Sequence, residues 1–417
     1  MRNETLTARI GLDDTDHPEF GCTTYSFDEL IGCLREIDGL IVKERRLVRL
    51  WPYASRRTRG NGALSAVVKI PMDRKTALLE VCKTWFDGIR TEISNYPKTK
   101  NNPSPALVIS FEMPPEEWYW EAVRGEVCLQ TRYNAVADSG AFILTHEDLW
   151  GIIGASAAIS WTPPVDHTWE LIGWRLKDKI GTERKISRES IHEMSELFPE
   201  TFMNRDPTSD KAIISPRTPC PVLYGIRGAS KTAVEDANSW IQDVDENETC
   251  SKWASHMTNQ LSDDHLAGVG NGTVISKPEV IKGAHAIVKV ITGNKSENLV
   301  AFSEGGPVNK LLRQLVPGDM ISWMGLSSPD GAIHLERLKL VSASPRNLSR
   351  PECCGNSMRS KGTGQPLQCD KCKARAEKLW IYDEWSPMGL NLVDGWSQPA
   401  PSNRRHLSKP LEHGIPL

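Results

Sequence analysis

Three carboxylates, Asp13, Asp14 and Asp16, stand within four residues of one another. Like charges this close repel unless a cation neutralises them, and a hard divalent ion such as Mg²⁺, able to bridge nucleotide phosphates as well, is their natural partner. Shortly after them, Gly21-Cys22-Thr23-Thr24 offers hydroxyls and backbone N–H groups where a helix is expected to start, a place that favours anions. Acidic ligands beside such a helix start point to phosphoryl chemistry; an Asx turn or helix cap would use the same residue types for structure alone. The complementary half is basic. Arg56, Arg57 and Arg59 carry fixed positive charge, and Gly60-Asn61-Gly62 lets the backbone approach a phosphate closely, although Asn-Gly is also an ordinary hairpin turn.

A second chemistry-bearing group lies near the C-terminus. Of ten cysteines, four fall within twenty residues: Cys353-Cys354, then Cys369-Asp370-Lys371-Cys372. A C-x-x-C knuckle with a second pair about fifteen residues upstream has the spacing of a structural Zn²⁺ ribbon closed by four thiolates. The adjacency of Cys353 and Cys354 departs from the usual second C-x-x-C. The other six cysteines are scattered; Cys22 stands in the motif above, and the remaining five are expected to be small buried hydrophobes in a reducing compartment.

The elements that must position these residues can be read from periodicity. Thr7–Leu12 predicts a strand, and Phe27, Leu30, Ile31, Leu34 and Ile37 recur at helical spacing over Thr23–Ile37. Lys43–Leu50 and Gly62–Ile70 predict two strands joined by the basic connection, Asp73–Ile89 a helix and Ala106–Phe111 a strand. Further on, helices at Leu149–Ile159, Ser187–Leu197 and Val234–Ile241 interleave with strands at Trp169–Leu176, Val222–Arg227 and Ser251–Thr258, an α+β pattern compatible with ferredoxin-like topology. Between Gly272 and Leu340, five short apolar runs fit a small barrel of the OB-fold type. The tail Gln398–Leu417 lacks periodicity and is expected to be extended or mobile.

Composition sets the outer bounds. The 417 residues suffice for two to four domains. No run approaches the roughly 18–20 consecutive apolar residues of a membrane-spanning helix. Met1–Ile10 is too polar for a signal peptide, so a soluble, cytoplasmic protein without a membrane partner is expected. The net charge is −3, from 50 Lys and Arg against 53 Asp and Glu, but it conceals segregation. Ile41–Gly60 holds seven basic residues against Glu44, and Glu336–Lys378 holds ten against four acids. Gln242–Leu266 and Phe111–Glu126 are acidic. Basic patches of this kind suit a nucleic-acid surface.

Taken in order, Ile10-Gly11-Leu12-Asp13-Asp14-Thr15-Asp16, Gly21-Cys22-Thr23-Thr24-Tyr25, Thr58-Arg59-Gly60-Asn61-Gly62-Ala63, Thr218-Pro219-Cys220-Pro221-Val222-Leu223-Tyr224-Gly225-Ile226-Arg227-Gly228 and Thr258-Asn259-Gln260 resemble the archaeal isoleucine-tRNA 2-agmatinylcytidine synthetases over nearly the whole chain. The resemblance implies a multidomain α/β and α+β protein: a kinase-like ATP-binding domain over residues 1–132, a ferredoxin-like domain over 133–266, an OB-fold over 270–345, a zinc ribbon over 350–380 and an extension over 381–417. It implies conjugation of agmatine to C2 of the wobble cytidine of an isoleucine tRNA with a CAU anticodon, so that the tRNA reads AUA. ATP would be consumed to AMP, with phosphorylation of the cytidine oxygen and of a threonine corresponding to Thr23.

On that reading Asp13, Asp14 and Asp16 hold Mg²⁺, and Thr24, Arg59, Gly60, Asn61, Gly62, Arg227 and Gly228 meet the nucleotide. Agmatine is cationic at both ends, so Asp166, Glu170 and the Trp169 ring are its candidate partners, with Asp206 and Asp210 as alternatives. His17-Pro18-Glu19-Phe20 departs from the small residues usual in the family's loop. Two other readings use the same residues: an RNA-binding protein without catalysis, and a small-molecule phosphotransferase without RNA. The concentrated negative charge argues against the first, and the C-terminal modules against the second.

Overall fold

The structure, a computed structural model, describes residues 4–17, 21–57, 60–99, 101–346, 348–382 and 384–416. The chain forms two compact units, one of residues 1–267 and 400–410, the other of residues 268–399 and 411–417.

The first unit is built on one nine-stranded sheet. Its elements are β1 (Thr5–Asp13), α1 (Thr23–Arg35), β2 (Ile41–Arg49), β3 (Gly62–Pro71), α2 (Lys75–Ser94), β4 (Ala106–Ser110), α3 (Glu117–Arg124), α4 (Leu129–Asp138), β5 (Phe142–Thr145), α5 (Gly151–Ser160), β6 (Thr168–Arg175), α6 (Arg188–Leu197) and β7 (Thr201–Phe202). A small hairpin, β8 (Arg205–Asp206) and β9 (Lys211–Ala212), precedes β10 (Val222–Gly228), α7 (Lys231–Gln242) and β11 (Cys250–Thr258). The sheet order is β5-β4-β1-β3-β2-β11-β6-β10-β7. Its pairings are antiparallel except β2 with β11, which run parallel with Arg46 opposite Met257 and Leu47 opposite Thr258. That pairing merges what the sequence presents as two successive α/β segments into one sheet.

Alternation along the strands sends one set of side chains to each face. Ile10 and Leu12 of β1, Leu64 and Val68 of β3 and Leu107 of β4 meet the apolar stripes of α1 and α2, including Phe27, Leu30, Leu34 and Phe86. On the opposite face lies α5, buried on nearly every side. An all-round apolar helix of this kind belongs inside a protein. Gly11 makes the approach possible, because a Cβ there would run into the carbonyl oxygen of Ala155. Across the other half of the sheet, Leu171, Leu223 and Ile226 pack against Met194 of α6 and Val234 and Ile241 of α7.

The tail expected to be extended or mobile is instead tied down over residues 400–410, which return to this unit through a short 3₁₀ turn, Pro401–Asn403. Leu407 is buried among Val48, Leu50, Tyr119 and Ala157, and the backbone N–H groups of Leu261 and Asp263 donate to the carbonyls of His406 and Leu407 at 3.1 and 2.9 Å.

The second unit holds β12 (Gly270–Val274), β13 (Glu279–Val280), β14 (Ala286–Thr292), β15 (Lys295–Ala301), α8 (Pro307–Leu312), β16 (Met320–Ser327) and β17 (Ile333–Ser342). Five of these strands close a barrel in the order β12-β14-β15-β17-β16 and back to β12. Val288, Val290, Leu299, Trp323 and Leu338 fill it, with Leu311 of α8 at one end. The cysteine-rich segment beyond is made of two-residue strands.

Candidate active site

Asp13 ends β1, Asp14 turns the chain with φ 60°, and Asp16 reaches forward to α1. The N-cap residue of α1, Cys22, supplies no side-chain cap. Asp16 supplies it instead: its Oδ1 accepts from the Thr23 N–H at 2.6 Å and from Thr23 Oγ1 at 3.2 Å. Thr15 Oγ1 adds bonds to Thr23 Oγ1 and Ser26 Oγ, each at 3.3 Å. Thr24 accepts from the Trp174 indole at 3.2 Å. Pro18, Glu19 and Phe20, which set this loop apart from the family's usual small residues, lie outside the described residues.

The loop thereby divides its carboxylates. Asp13 and Asp14 line a cavity with Trp51, Arg56, Arg57, Asn61, Gly62 and Trp150. Asp16, Thr23 and Thr24 face a second cavity of about 550 Å³. Gly62 borders both. Among the described residues, the acidic triplet does not converge on one point within 4.8 Å.

Asp13 is pressed against the first turns of α5, where a Cβ on Gly154 would collide with its carboxylate. A Cβ on Gly151 would stand 2.8 Å from the Asp13 carbonyl oxygen and 2.7 Å from that of Ser104. Burial pushes the Asp13 carboxyl up to about 7, eased by the Asp14 N–H and reinforced by the Asp16 charge. Burial, then the Asp13 charge, pushes Asp14 well above the usual carboxylate range, with Arg56 and the Ser104 N–H pulling the other way. Two adjacent carboxyls that the described residues leave short of charge compensation suit a divalent cation. The basic connection faces them. Arg56 lies over the Trp150 ring at 5.3 Å and donates to the Asn102 carbonyl at 2.7 Å. Asn61, at φ 42°, folds the connection back and donates to the Trp51 carbonyl at 2.7 Å. Arg59 lies outside the described residues.

The floor of the larger cavity comes from β2, β6 and β10. Glu170, buried on β6, pairs with Arg49 at 2.9 Å and Arg227 at 3.4 Å and accepts from Gln260. Burial raises its pKa, but the charges of Arg49 and Arg227 and the hydrogen bonds from Arg49 and Gln260 outweigh this and hold it below the usual range. Gly225 on β10 leaves room for the carboxylate, since a Cβ there would come within 2.6 Å of Oε1. Gly60 lines the same cavity, its carbonyl accepting from Arg49 at 3.2 Å. Asn259 clamps β2 by exchanging two hydrogen bonds with the Arg49 backbone, at 2.7 and 2.9 Å.

Of the three residues considered for a cationic substrate, Glu170 faces the cavity. Trp169 points to the opposite side of the sheet, against the α6–α7 core, and Asp166 sits exposed in the preceding turn. Arg227 lines the cavity, whereas Gly228 packs on Val234. Asp206 is buried. Hydrogen bonds from Ser402 and Thr208 overcome the effect of its burial and bring its carboxyl down to about 2. Asp210 is exposed beside Arg205. Sequence reasoning missed Ser104, Trp150 and Gly154, the pairing role of Arg49, and Ser402 and His406 from the returning segment. Gln260 had a visible signal, because it stands in a quoted motif.

In the second unit, the sulfurs of Cys353, Cys354, Cys369 and Cys372 all lie within 4.8 Å of one another. Adjacent cysteines reach one centre because Cys354 and Gly355 both take positive φ, 50° and 77°, which folds the chain sharply. Backbone N–H groups of Cys372 and Lys371 draw the Cys369 thiol down to about 7. Four convergent thiols fit a closed tetrahedral zinc site.

The family model described as the TiaS TCKD domain matches residues 9–147, and that of the TiaS FLD domain matches residues 150–265. The chain is 30% identical to TiaS of Methanocaldococcus jannaschii, a 2-agmatinylcytidine synthetase for isoleucine tRNA, over 97% of its own length and 98% of that protein's. Identity to the enzyme of the same name from Archaeoglobus fulgidus is 31%, over 96% of each chain. A solved structure of TiaS in complex with isoleucine tRNA and ATP superposes with a TM-score of 0.80 at 30% identity, over 98% of each chain. For the complex of TiaS with isoleucine tRNA, AMPCPP and agmatine the TM-score is 0.78 at 28% identity, again over 98% of each. The likeness runs from one end of the chain to the other and spans the segments that line both cavities, and the chain belongs to the TiaS family.

Proposed function

We propose that this protein conjugates agmatine to C2 of the wobble cytidine in the CAU anticodon of isoleucine tRNA, at the expense of ATP. The observation that carries the reading is that Asp13 and Asp14 line one cavity while Asp16 and Thr23, joined by a hydrogen bond, line the other. The Asp13–Asp14 cavity, with Arg56, Arg57, Asn61 and Gly62 around it, suits the triphosphate. Asp13 and Asp14 would hold Mg²⁺, which when bound screens the phosphate charge. Arg59, in the same connection, is proposed as a further phosphate contact.

The larger cavity suits the cytidine and the amine. The C2 oxygen is a poor leaving group until it is phosphorylated, and a loop that touches both cavities places the phosphate donor beside the acceptor. Asp16 fixes the start of α1 and with it the Thr23 hydroxyl, the proposed site of self-phosphorylation. Glu170 is already met by two arginines and Gln260. Its part is therefore to set Arg49 and Arg227 toward a phosphate rather than to take a guanidinium.

The modules follow the same reading. Strands β6, β7, β10 and β11 with α6 and α7 run βαββαβ in the sheet order β11-β6-β10-β7, which supports a ferredoxin-like domain within 133–266. The residues before it, 1–132, are the kinase-like domain. The barrel's closure, with α8 between its third and fourth strands, supports an OB-fold over 270–345. Cys353, Cys354, Cys369 and Cys372 are the Zn²⁺ ligands of a structural ribbon over 350–380.

A scaffold that only binds RNA gains nothing from two poorly compensated carboxylates, which favours catalysis over binding alone. The test is incubation of the full chain with ATP, Mg²⁺, labelled agmatine and a CAU isoleucine tRNA transcript. Label enters the RNA with the wild type, and Asp14→Asn abolishes incorporation while tRNA binding survives. ATP turnover without label in the RNA sinks the reading, and equal loss of binding in Asp14→Asn sinks the metal-site assignment.

A further inference from the structure

The returning segment 400–410 brings Ser402 and His406 to the larger cavity, and no step above uses the histidine. His406 is exposed there, and it also lines a smaller cavity with Arg57, Gly60 and Asn61. Its Nδ1 lies 3.2 Å from Gln260 Oε1.

The hydrogen-bond chain fixes its tautomer. Glu170, ionised between Arg49 and Arg227, can only accept, so the Gln260 amide must turn its NH₂ to that carboxylate and its oxygen to the imidazole. His406 Nδ1 must therefore donate to Gln260. Partial desolvation on the side of the ring that meets Gln260, together with the charges of Arg49 and Arg227, holds the imidazole below its usual pKa. In the neutral ring the lone pair is therefore on Nε2. That atom faces Gly60, 3.6 Å from where a Cβ would stand, so no side chain of residue 60 covers it.

We propose that His406 Nε2 accepts the proton released when the substrate amine bonds to the activated cytidine. This rests on the function proposed above. The free amine attacks C2, and a C–N bond forms as the bond from C2 to the phosphorylated oxygen breaks. The phosphate departs with that electron pair, and the new C–NH₂⁺ nitrogen gives one proton to Nε2. From there the proton passes to the departing phosphate, which leaves as hydrogen phosphate. A weak base suits this moment: an alkylammonium would not yield its proton to it, but nitrogen bonded to an electron-poor ring does. Arg49 and Arg227, set by Glu170, stand where the leaving charge develops.

The test uses the full chain with ATP, agmatine and the tRNA. In His406→Asn the amide NH₂ can still donate to Gln260, but no basic nitrogen remains; His406→Ala removes both. Both variants should slow conjugation at saturating agmatine on the order of 100-fold, with the KM for agmatine unchanged. Labelled phosphate from ATP should accumulate on the tRNA, and imidazole in solution should restore part of the rate of His406→Ala. Wild-type rate in His406→Asn overturns the proposal, since the ring would then serve only to hold Gln260. Equal loss of phosphate transfer and conjugation also overturns it, by making the role structural. If the wild type itself phosphorylates the tRNA without attaching agmatine, the functional reading fails first and the proposal with it.

Discussion

A carboxylate can lie against a helix only where the helix leaves a gap, and Gly154 is that gap for Asp13. Glycine inside a helix costs about 1 kcal/mol relative to alanine, so on helix propensity alone Gly154→Ala should stabilise α5. The Cβ would instead displace the Asp13 carboxylate. A shift of about 1 Å at a reacting centre can cost on the order of 100-fold in rate. Gly154→Ala is therefore expected to lose conjugation by about that factor, with far-UV circular dichroism unchanged. Undiminished activity in a folded variant would show that the position of Asp13 is not critical. Nothing in the run Gly151-Ile152-Ile153-Gly154-Ala155 marks the glycine as functional, because its partner lies well over a hundred residues away in the chain. The acidic and basic loops were legible for the opposite reason: their charges are clustered in sequence.

At the scale of elements, periodicity identified those with a single buried face. The stripe of Phe27, Leu30, Ile31 and Leu34 marked α1, and apolar runs between turn residues marked β1, β3 and the barrel strands. Helices α3 and α4 were missed: α3 does bury a stripe of Trp118, Tyr119, Ala122 and Val123, but at eight residues that stripe spans only about two turns and is too short to stand out from its acidic, proline-led surroundings. The parallel pairing of β2 with β11 joins Arg46 to Met257 and leaves no local trace. Nor does residue segment 400–410, whose bonds go to residues scattered along the chain, among them Tyr53, Asp206, Gln260, Leu261 and Asp263. The packing of Leu407 is what anchors that segment. Removing its side chain should cost roughly 2–5 kcal/mol, and each 1.4 kcal/mol is a factor of ten in an equilibrium. Leu407→Ala is thus expected to speed hydrogen exchange at the Leu261 and Asp263 amides by about 30-fold or more, with β1 and β3 amides less affected. Unchanged protection at those two amides would mean that the polar contacts alone hold the segment.

Over the whole molecule, the charge segregation in the sequence has two different meanings. The basic stretch Ile41–Gly60 is partly internal: Arg45 pairs with Asp28 at 2.8 Å, Arg46 with Glu44 at 2.5 Å, and Arg49 with Glu170 at 2.9 Å. Arg45 and Arg46 hold the sheet together and are not free to meet RNA, and Arg49 is turned into the larger cavity rather than onto an outer RNA surface. In the other stretch, Arg337 is buried in the barrel and Arg346 is paired with Asp319 at 2.8 Å. Lys371, Lys373, Arg375 and Lys378, in contrast, are exposed around the cysteine cluster. Close by in sequence stand Trp380 and Tyr382, 54% and 55% exposed, where most large aromatic residues would be covered. Exposed cations with open aromatic faces suit phosphates and unstacked bases. Replacing Lys371, Arg375 and Lys378 together by Gln should weaken tRNA binding and flatten the dependence of log K on log salt by about 2, since each lost phosphate contact removes roughly 0.7–0.9. Metal content should stay at the wild-type level, because the four cysteines are untouched, and ATP turnover without tRNA should be unchanged. An unaltered salt slope would place the RNA surface elsewhere. A loss of bound metal with the same slope change would trace the effect to folding around the cysteine cluster rather than to charge.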